Sequence, residues 1–257
     1  MKNIYSELNE LIKSGKNAAL CVVVETKGST PRKAGSKMIV YDNKKILGTI
    51  GGGSIEFNVI DKAIEVIQNN TPQKFTFNLE NDLDMTCGGY VEVYIEPVFP
   101  LPKLYIFGAG HVGKAVAEFA SKTGFEITLF DEREGIFKSI TLQNTKFVQG
   151  NYFEEIEKAN FDNNTYVVVT TPKHAYDEDI TAICAKKLHA YLGMIGSKRK
   201  VATAKKVFLE ERGLKSEEIE SIDMPIGIKF AAQTPEEIAI SIVAKLIDVK
   251  NSTEGKK

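Results

Sequence analysis

The chain has 257 residues, of which 33 are basic and 34 acidic, and 43% are hydrophobic. This length allows two domains of ordinary size, and the apolar content excludes a disordered chain. The balanced charge argues against a nucleic-acid partner, and three widely spaced cysteines argue against a disulfide framework.

No segment of the sequence indicates export or membrane insertion. The first residues lack the apolar core of a signal peptide, and every apolar run is far shorter than the ~20 residues that span a bilayer. We therefore expect a cytoplasmic protein that makes no contact with membranes.

Residues 1–97 have the pattern of a small α+β domain. Apolar residues recur at helical spacing in two segments, which predicts helices over 5–14 and 54–68. Short apolar runs bounded by turn residues predict strands over 18–24, 37–41, 45–49, 74–79 and 90–96.

Two loops of this domain are candidate anion-binding sites. Residues 28–37 combine glycines with hydroxyls and cations, among them Thr30, Arg32 and Lys33. In the second loop Gly51, Gly52 and Gly53 precede Ser54 at a predicted helix start, where free backbone N–H groups suit an anion. The alternatives are a solvated surface turn and a tight strand-to-helix turn in which Glu56 only complements the helix dipole.

Cys87 is a candidate reactive thiolate. It is followed by two glycines, and an accessible backbone with nearby amides lowers the pKa of a thiol. The alternative is an inert, small apolar residue. Cys21 and Cys184 lie in apolar strand and helix patterns and are expected to be structural.

Prolines mark the boundary between two domains. Pro97, Pro100 and Pro102 cannot continue a helix or a central strand, and they favour a stiff, extended connector. We place a linker at 98–102, a second domain at 103–250 and a polar, mobile tail at 251–257.

The second domain opens with a strand, a glycine fingerprint, a helix and a second strand that ends in an acid. Gly108, Gly110 and Gly113 fit G-x-G-x-x-G, in which the glycines allow a tight turn, the approach of a pyrophosphate and close helix packing. Asp131 ends the second strand, where a carboxylate accepts hydrogen bonds from a ribose diol and repels the 2′-phosphate of NADP. His111 faces the cofactor cleft or only packs. This order predicts a Rossmann-type doubly wound parallel sheet that binds NAD or another nucleotide.

The rest of this domain continues the alternation of strands and helices. Strands are predicted over 146–148, 166–170 and 190–194, and helices over 177–188, 198–212 and from 235 onward. Thr234 and Glu237 predict a capping box at the start of the last helix.

Two loops that follow these strands contain candidate functional residues, because α/β sheets bind ligands at the carboxyl ends of their strands. His174 and Asp177 form an oriented acid–base pair, or else a surface histidine and a helix-capping acid. Gly196, Ser197, Arg199 and Lys200 supply a backbone turn, a hydroxyl and cations at a helix start, which suits phosphate.

Six segments in this order resemble the XdhC/CoxI family of xanthine dehydrogenase accessory factors. The resemblance covers about Ala18 to Ile247. The segments are 28–32 (GSTPR), 51–56 (GGGSIE), 87–93 (CGGYVEV), 107–113 (FGAGHVG), 191–200 (YLGMIGSKRK) and 225–227 (PIG).

The resemblance implies a carrier of molybdenum cofactor, either nucleotide-free molybdopterin or a dinucleotide form. Such proteins protect the cofactor during its sulfuration and deliver it to a xanthine dehydrogenase-type molybdenum hydroxylase. The resemblance also implies a cysteine desulfurase as a partner and a homodimer, and it implies a chaperone more than a turnover enzyme.

Two positions depart from the family pattern. Ser54 stands where family members often have cysteine, which makes Cys87 the better candidate for a molybdenum contact, since thiolates suit soft metals. Lys173 stands where glycine usually precedes the histidine. The alternative function is an NAD(P)-dependent oxidoreductase or a nucleotide-binding sensor, because a fold does not establish its chemistry.

Overall fold

A computed structural model describes residues 3–14, 16–79, 89–138, 140–142 and 145–254. The chain forms two compact units, of which the first ends at Leu101 and the second runs from Pro102 to Thr253. Each unit contains a five-stranded sheet. Among the helices described, none has the length and apolar character needed to cross a membrane.

The first unit is an antiparallel sheet with the strand order β3-β2-β1-β5-β4. Helix α2 packs Ile55, Val59, Ala63 and Val66 against one face at the predicted helical spacing, and Leu11 of α1 packs against residues of the other face. The elements are α1 (Ile4–Ser14), β1 (Ala18–Lys27), β2 (Lys37–Tyr41), β3 (Ile46–Gly48), α2 (Gly53–Asn69), β4 (Gln73–Asn78) and β5 (Tyr90–Val98). The α+β architecture expected for this part of the chain is confirmed.

Strand β5 continues past its predicted end and includes Pro97. It pairs with β1 along its length, and Pro97 lies opposite Ala19. Its pairing with β4 stops at Ile95 opposite Gln73, so the described residues place a partner strand on only one side of Pro97. Proline is tolerated at such edge positions because a missing N–H then interrupts one ladder at most.

The second unit is a parallel sheet with the order β10-β9-β6-β7-β8 and helices on both faces. Residues of β6 and β9 are buried on both sides, as in parallel sheets covered by helices. The elements are β6 (Lys103–Phe107), α3 (His111–Ala120), β7 (Glu126–Asp131), β8 (Thr145–Gln149), α4 (Tyr152–Lys158), β9 (Thr165–Val169), α5 (His174–Ala185), β10 (Tyr191–Met194), α6 (Lys198–Glu210), α7 (Ser216–Ser221) and α8 (Pro235–Glu254). The predicted Rossmann-type fold is confirmed.

The topology creates a switch point between β6 and β9. The chain leaves β6 toward β7 on one side, whereas β9 pairs with β6 on the other side. Ligands of such sheets bind in the crevice outside the carboxyl ends of the strands at this point. The loops that follow β6 and β9 therefore flank the expected ligand position, which we call the switch crevice.

Local signals set the helix ends, and the structure differs from the sequence prediction in several helices. Helix α8 has the predicted capping box: Thr234 Oγ1 accepts from Glu237 N at 3.2 Å, and Glu237 Oε2 accepts from Thr234 N at 3.1 Å. It continues to Glu254, into the segment predicted as a tail. Helices α4 and α7 are absent from the prediction, although Asn151 caps α4 by accepting from Phe153 N at 3.0 Å.

Candidate functional site

The glycine fingerprint forms a loop that is tightly packed at Gly108 and Gly113 and open at Gly110. Gly108 has φ +106° and donates to Phe130 O at 2.9 Å. A Cβ at Gly108 would overlap the carbonyl oxygen of Thr170, and one at Gly113 would overlap the carbonyl oxygen of Gly108. A Cβ at Gly110 would have no heavy atom within 4 Å. The backbone at the start of α3 is thus accessible, and His111 is exposed beside it.

Asp131 is buried at the end of β7, and protein groups occupy its carboxylate. Its Oδ2 accepts from Ala109 N at 2.7 Å and from Arg133 Nη2 at 2.8 Å. Its Oδ1 accepts from Arg133 N at 3.0 Å and from Arg133 Nε at 2.8 Å. Burial raises the pKa of Asp131, but the hydrogen bonds from Arg133 and Ala109 outweigh it, and the net pKa lies below its usual value.

Sequence reasoning missed Arg133. The residue lies only two positions after Asp131, and an arginine near such an acid is a known phosphate ligand in this fold. Its side chain is 42% exposed although it holds a fully buried carboxylate. The acid expected to receive a ribose diol is instead one half of an ion pair whose other half reaches solvent.

The loop after β9 brings together a histidine, an aspartate and a threonine. His174 Nδ1 lies 3.4 Å from Asp177 Oδ2. The other oxygen, Oδ1, accepts from Thr171 N at 2.8 Å and from Thr171 Oγ1 at 2.7 Å. Burial raises the pKa of Asp177, and these hydrogen bonds oppose the rise without cancelling it.

This arrangement orients the imidazole of His174. With Nδ1 directed at Asp177, the second ring nitrogen is available as an acceptor. His174 Nε2 is buried and has no hydrogen-bond partner among the residues that the structure describes. The pair predicted from the sequence is therefore in contact at the first turn of α5, next to the switch crevice.

Lys173 forms an ion pair at the edge of the switch crevice. Its Nζ lies 3.1 Å from Glu132 Oε1 and 4.6 Å from the centre of the Tyr176 ring. The ion pair links the loop after β9 with the loop after β7. It neutralises a cation that has no evident partner in the sequence alone.

The start of α6 presents a group of free cations. Ser197 caps the helix by accepting from Lys200 N at 3.4 Å, and Ile195 N donates to Val169 O at 3.0 Å, which keeps this loop beside β9. Gly196 precedes the cap and is half-buried. Arg199 and Lys200 are exposed, and in the described part of the chain neither has an ion-pair partner.

In the first unit, three of the sequence motifs lie in contact. A Cβ at Gly51 would lie 2.7 Å from Pro31 Cγ, and one at Gly89 would overlap the carbonyl oxygen of Ser29. The segment 28–32 therefore packs against both glycine segments. The predicted thiolate Cys87 lies outside the described residues.

The cations of this segment are exposed. Thr30 Oγ1 donates to Arg32 O at 3.1 Å, which shapes the turn. Arg32 and Lys33 are exposed, and within the described ranges no acid pairs with either of them.

Glu56 is the anion of the triple-glycine loop. Its Oε1 accepts from Thr49 Oγ1 at 2.5 Å, from Gly52 N at 2.9 Å and from Ile50 N at 3.1 Å. The pKa of Glu56 is raised by burial, but hydrogen bonds from Thr49 and the loop amides bring it below its usual value. These amides, expected to bind an external anion, are thus partly occupied by the chain itself. Gly53 and Ser54 remain exposed, and a Cβ at Gly52 or Gly53 would meet no heavy atom within 4 Å.

Comparison with known proteins identifies the family. Residues 104–246 match the XdhC Rossmann domain, and residues 11–78 match the XdhC and CoxI family. The chain belongs to the XdhC and CoxI family. The resemblance based on the six sequence segments is therefore confirmed.

Individual relatives cover nearly the whole chain. The uncharacterized protein YqeB of Escherichia coli (strain K12) is 32% identical over 98% of this chain, which spans only 47% of the length of YqeB. The molybdenum cofactor insertion chaperone PaoD of the same organism is 21% identical over 94% of this chain and 86% of its own length. A crystal structure of a xanthine dehydrogenase from Bacillus halodurans, 21% identical, superposes with a TM-score of 0.53 over 96% of this chain and 95% of that one, which shows a shared fold.

Proposed function

We propose that the chain binds molybdenum cofactor and assists its insertion into a molybdenum hydroxylase of the xanthine dehydrogenase type. The observation that carries this proposal is the similarity to the insertion chaperone PaoD, which extends over 94% of this chain and both of its units. The chain is then a carrier whose side chains bind and protect a cargo.

The donor groups of the second unit suit the phosphate end of such a cargo. Gly110 leaves the start of α3 open to a phosphate, and helix N-termini favour anions. Arg199 and Lys200 at the start of α6 add exposed cations. We assign the phosphate-binding role to these residues, with Gly108, Gly113, His111 and Ser197 shaping the loops.

The first unit offers a second set of groups. Thr30, Arg32 and Lys33 lie on one loop, and Gly51 to Ser54 form the neighbouring loop at the start of α2. We propose that these loops contact the cofactor, and that Cys87 supplies a soft thiolate for molybdenum. In the same proposal a cysteine desulfurase and the target enzyme subunit are the partners, and the working form is a homodimer.

Anaerobic binding of the cofactor tests this role. We expect stoichiometric retention of nucleotide-free or dinucleotide cofactor that excess NAD does not displace, followed by transfer to a cofactor-free hydroxylase. Absence of retention for both forms would contradict the carrier role.

Paired cysteine variants test the metal contact. Cys87→Ala is expected to release the cofactor at least about tenfold faster, since loss of a charge-assisted ligand contact amounts to about 1.4 kcal/mol or more. Cys21→Ala is the control, because Cys21 is buried in β1 and burial raises the pKa of its thiol to about 12. Equal release from the two variants would count against a thiolate ligand.

A nucleotide-dependent oxidoreductase is the second candidate. It is favoured by the His174–Asp177 pair beside the switch crevice, since an oriented imidazole with an available nitrogen acts as a general base. Tight NAD binding with turnover of a small alcohol or acid, lost in His174→Gln, would favour this function over the carrier role.

A further inference from the structure

The ribose end of the switch crevice contains a guanidinium where the sequence predicts a free carboxylate. In Rossmann-type sheets the acid at the end of the second strand receives the ribose diol of a dinucleotide. That acid is Asp131, at the carboxyl end of β7 and fully buried. Its bonds to other groups of the chain decide what this position is able to bind.

Asp131 has no acceptor capacity left for a ribose. A carboxylate offers about four lone-pair directions. Four donors fill them, namely Ala109 N together with the backbone N, Nε and Nη2 of Arg133, all within 3.0 Å. A ribose diol would have to displace one of these donors, and the backbone donors belong to the fingerprint loop and to the loop after β7.

Arg133 has donors that Asp131 does not use. A guanidinium has five N–H groups, and Nε and Nη2 each direct one to Asp131. Asp131 does not use the remaining three, and they belong to a side chain that is 42% exposed and that the buried carboxylate already holds in place. Because the orientation of Arg133 is set before any ligand arrives, an anion bound there immobilises no further side chain.

The surrounding charges permit a phosphate at this position. Arg133 neutralises Asp131, and Lys173 pairs with Glu132 at 3.1 Å. Glu134 and Lys138, on the same loop, have opposite charges. A planar guanidinium fork binds the oxygens of a phosphate monoester bidentately and gains little from a neutral diol.

We propose that the crevice of the second unit selects a nucleotide whose ribose bears a phosphate monoester, as in NADP, and discriminates against a free ribose diol, as in NAD. Arg133 is the residue that determines this specificity. The inference reverses the preference expected from Asp131 alone, and it is independent of the carrier role, because it concerns nucleotides without molybdenum.

Calorimetric titration of the full chain with NADP and NAD tests the proposal. We expect NADP to bind at least tenfold more tightly, and 2′,5′-ADP to compete far better than 5′-ADP or inorganic phosphate. Arg133→Gln is expected to bring the two dinucleotides within twofold. Arg212→Gln is the matched control, because Arg212 makes the same kind of pair with Asp179, at 2.8 Å and 36% exposure, on other elements.

The folding of each variant is followed by circular dichroism. If Arg133→Gln unfolds because a buried carboxylate is left unpaired, the double variant Asp131→Asn/Arg133→Gln removes both charges and provides the same comparison. NAD binding as tightly as NADP to the unmodified chain, a preference that survives without Arg133, or competition by inorganic phosphate equal to that by 2′,5′-ADP would each overturn the proposal. So would a failure of both dinucleotides to bind.

Discussion

Replacing Gly113 by alanine is expected to destabilise the second unit by about 3 kcal/mol or more, the upper range for overpacking a tightly packed site. The added Cβ would overlap the carbonyl oxygen of Gly108 and lie 3.0 Å from Thr170 Oγ1. The first contact is between the added Cβ, whose position the backbone of α3 fixes, and a backbone atom of the loop after β6, so no side-chain rotation relieves it. In thermal unfolding the transition of this unit is expected to fall by roughly 6–12 °C, at 2–4 °C per kcal/mol for a domain of this size.

Gly110→Ala is the matched control. Gly110 lies three residues earlier in the same fingerprint, its φ is −73°, and a Cβ there meets no atom within 4 Å. The stability of the Gly110→Ala variant is expected to change by no more than about 0.5 kcal/mol. Its nucleotide binding is expected to weaken, because the methyl group stands where a phosphate approaches the backbone. Equal stability of the two variants would show that α3 does not pack directly on the fingerprint loop.

Replacing Glu56 by alanine is expected to destabilise the first unit by about 2–3 kcal/mol. The variant leaves Thr49 Oγ1, Ile50 N and Gly52 N without their shared acceptor, and each partly buried donor without a partner costs about 1 kcal/mol or more. The glycines at 51, 52 and 53 all have positive φ, at 146°, 76° and 61°. The loop that they form therefore depends on the Glu56 carboxylate for its shape. Urea unfolding at pH 7 measures the difference.

The effect of Glu56 is expected to depend on pH. Its folded-state pKa is lowered, so its contribution is complete above the unfolded-state pKa of about 4.3 and is lost as the pH falls through the lower folded-state value. The difference in the free energy of unfolding between the unmodified chain and Glu56→Gln should therefore become smaller toward pH 3. Glu65→Ala on the same helix is the control, because the pair that Glu65 makes with Lys62 is exposed to solvent. A stability difference that stays constant with pH, or that is no larger than the difference caused by Glu65→Ala, would contradict the role of Glu56.

Local patterns predicted the elements because their signals are short-range. The glycine spacing at 108–113, the apolar strands on either side and the cap formed by Thr234 and Glu237 each depend on neighbours within a few residues. Helix α4 was missed because its seven residues are too short for a clear period. Pro97 was judged as a strand breaker, and only the end of β4 opposite Ile95 shows that it lies beside a single partner strand.

The roles of the charged residues depended on contacts that no local pattern contains. From the sequence, Glu56 was a residue that complements a helix dipole and Asp131 was a ribose ligand. In the structure Glu56 turns back onto the loop before its own helix, and Asp131 holds the fingerprint loop together with Arg133. Similarly, the acid that pairs with Lys173 is 41 residues away in the chain.

The sequence by itself determined the family, the two architectures and the loops after β6 and β9 that flank the switch crevice. Glycine spacing, apolar periodicity and motif order are properties of the chain alone, and backbone sterics convert them directly into turns, strands and helices. Only the tertiary structure decided which polar groups of that crevice are free and which are already paired. A buried carboxylate takes whichever donors the fold brings within hydrogen-bond distance, and here that left Asp131 paired and the side chain of Arg133 exposed.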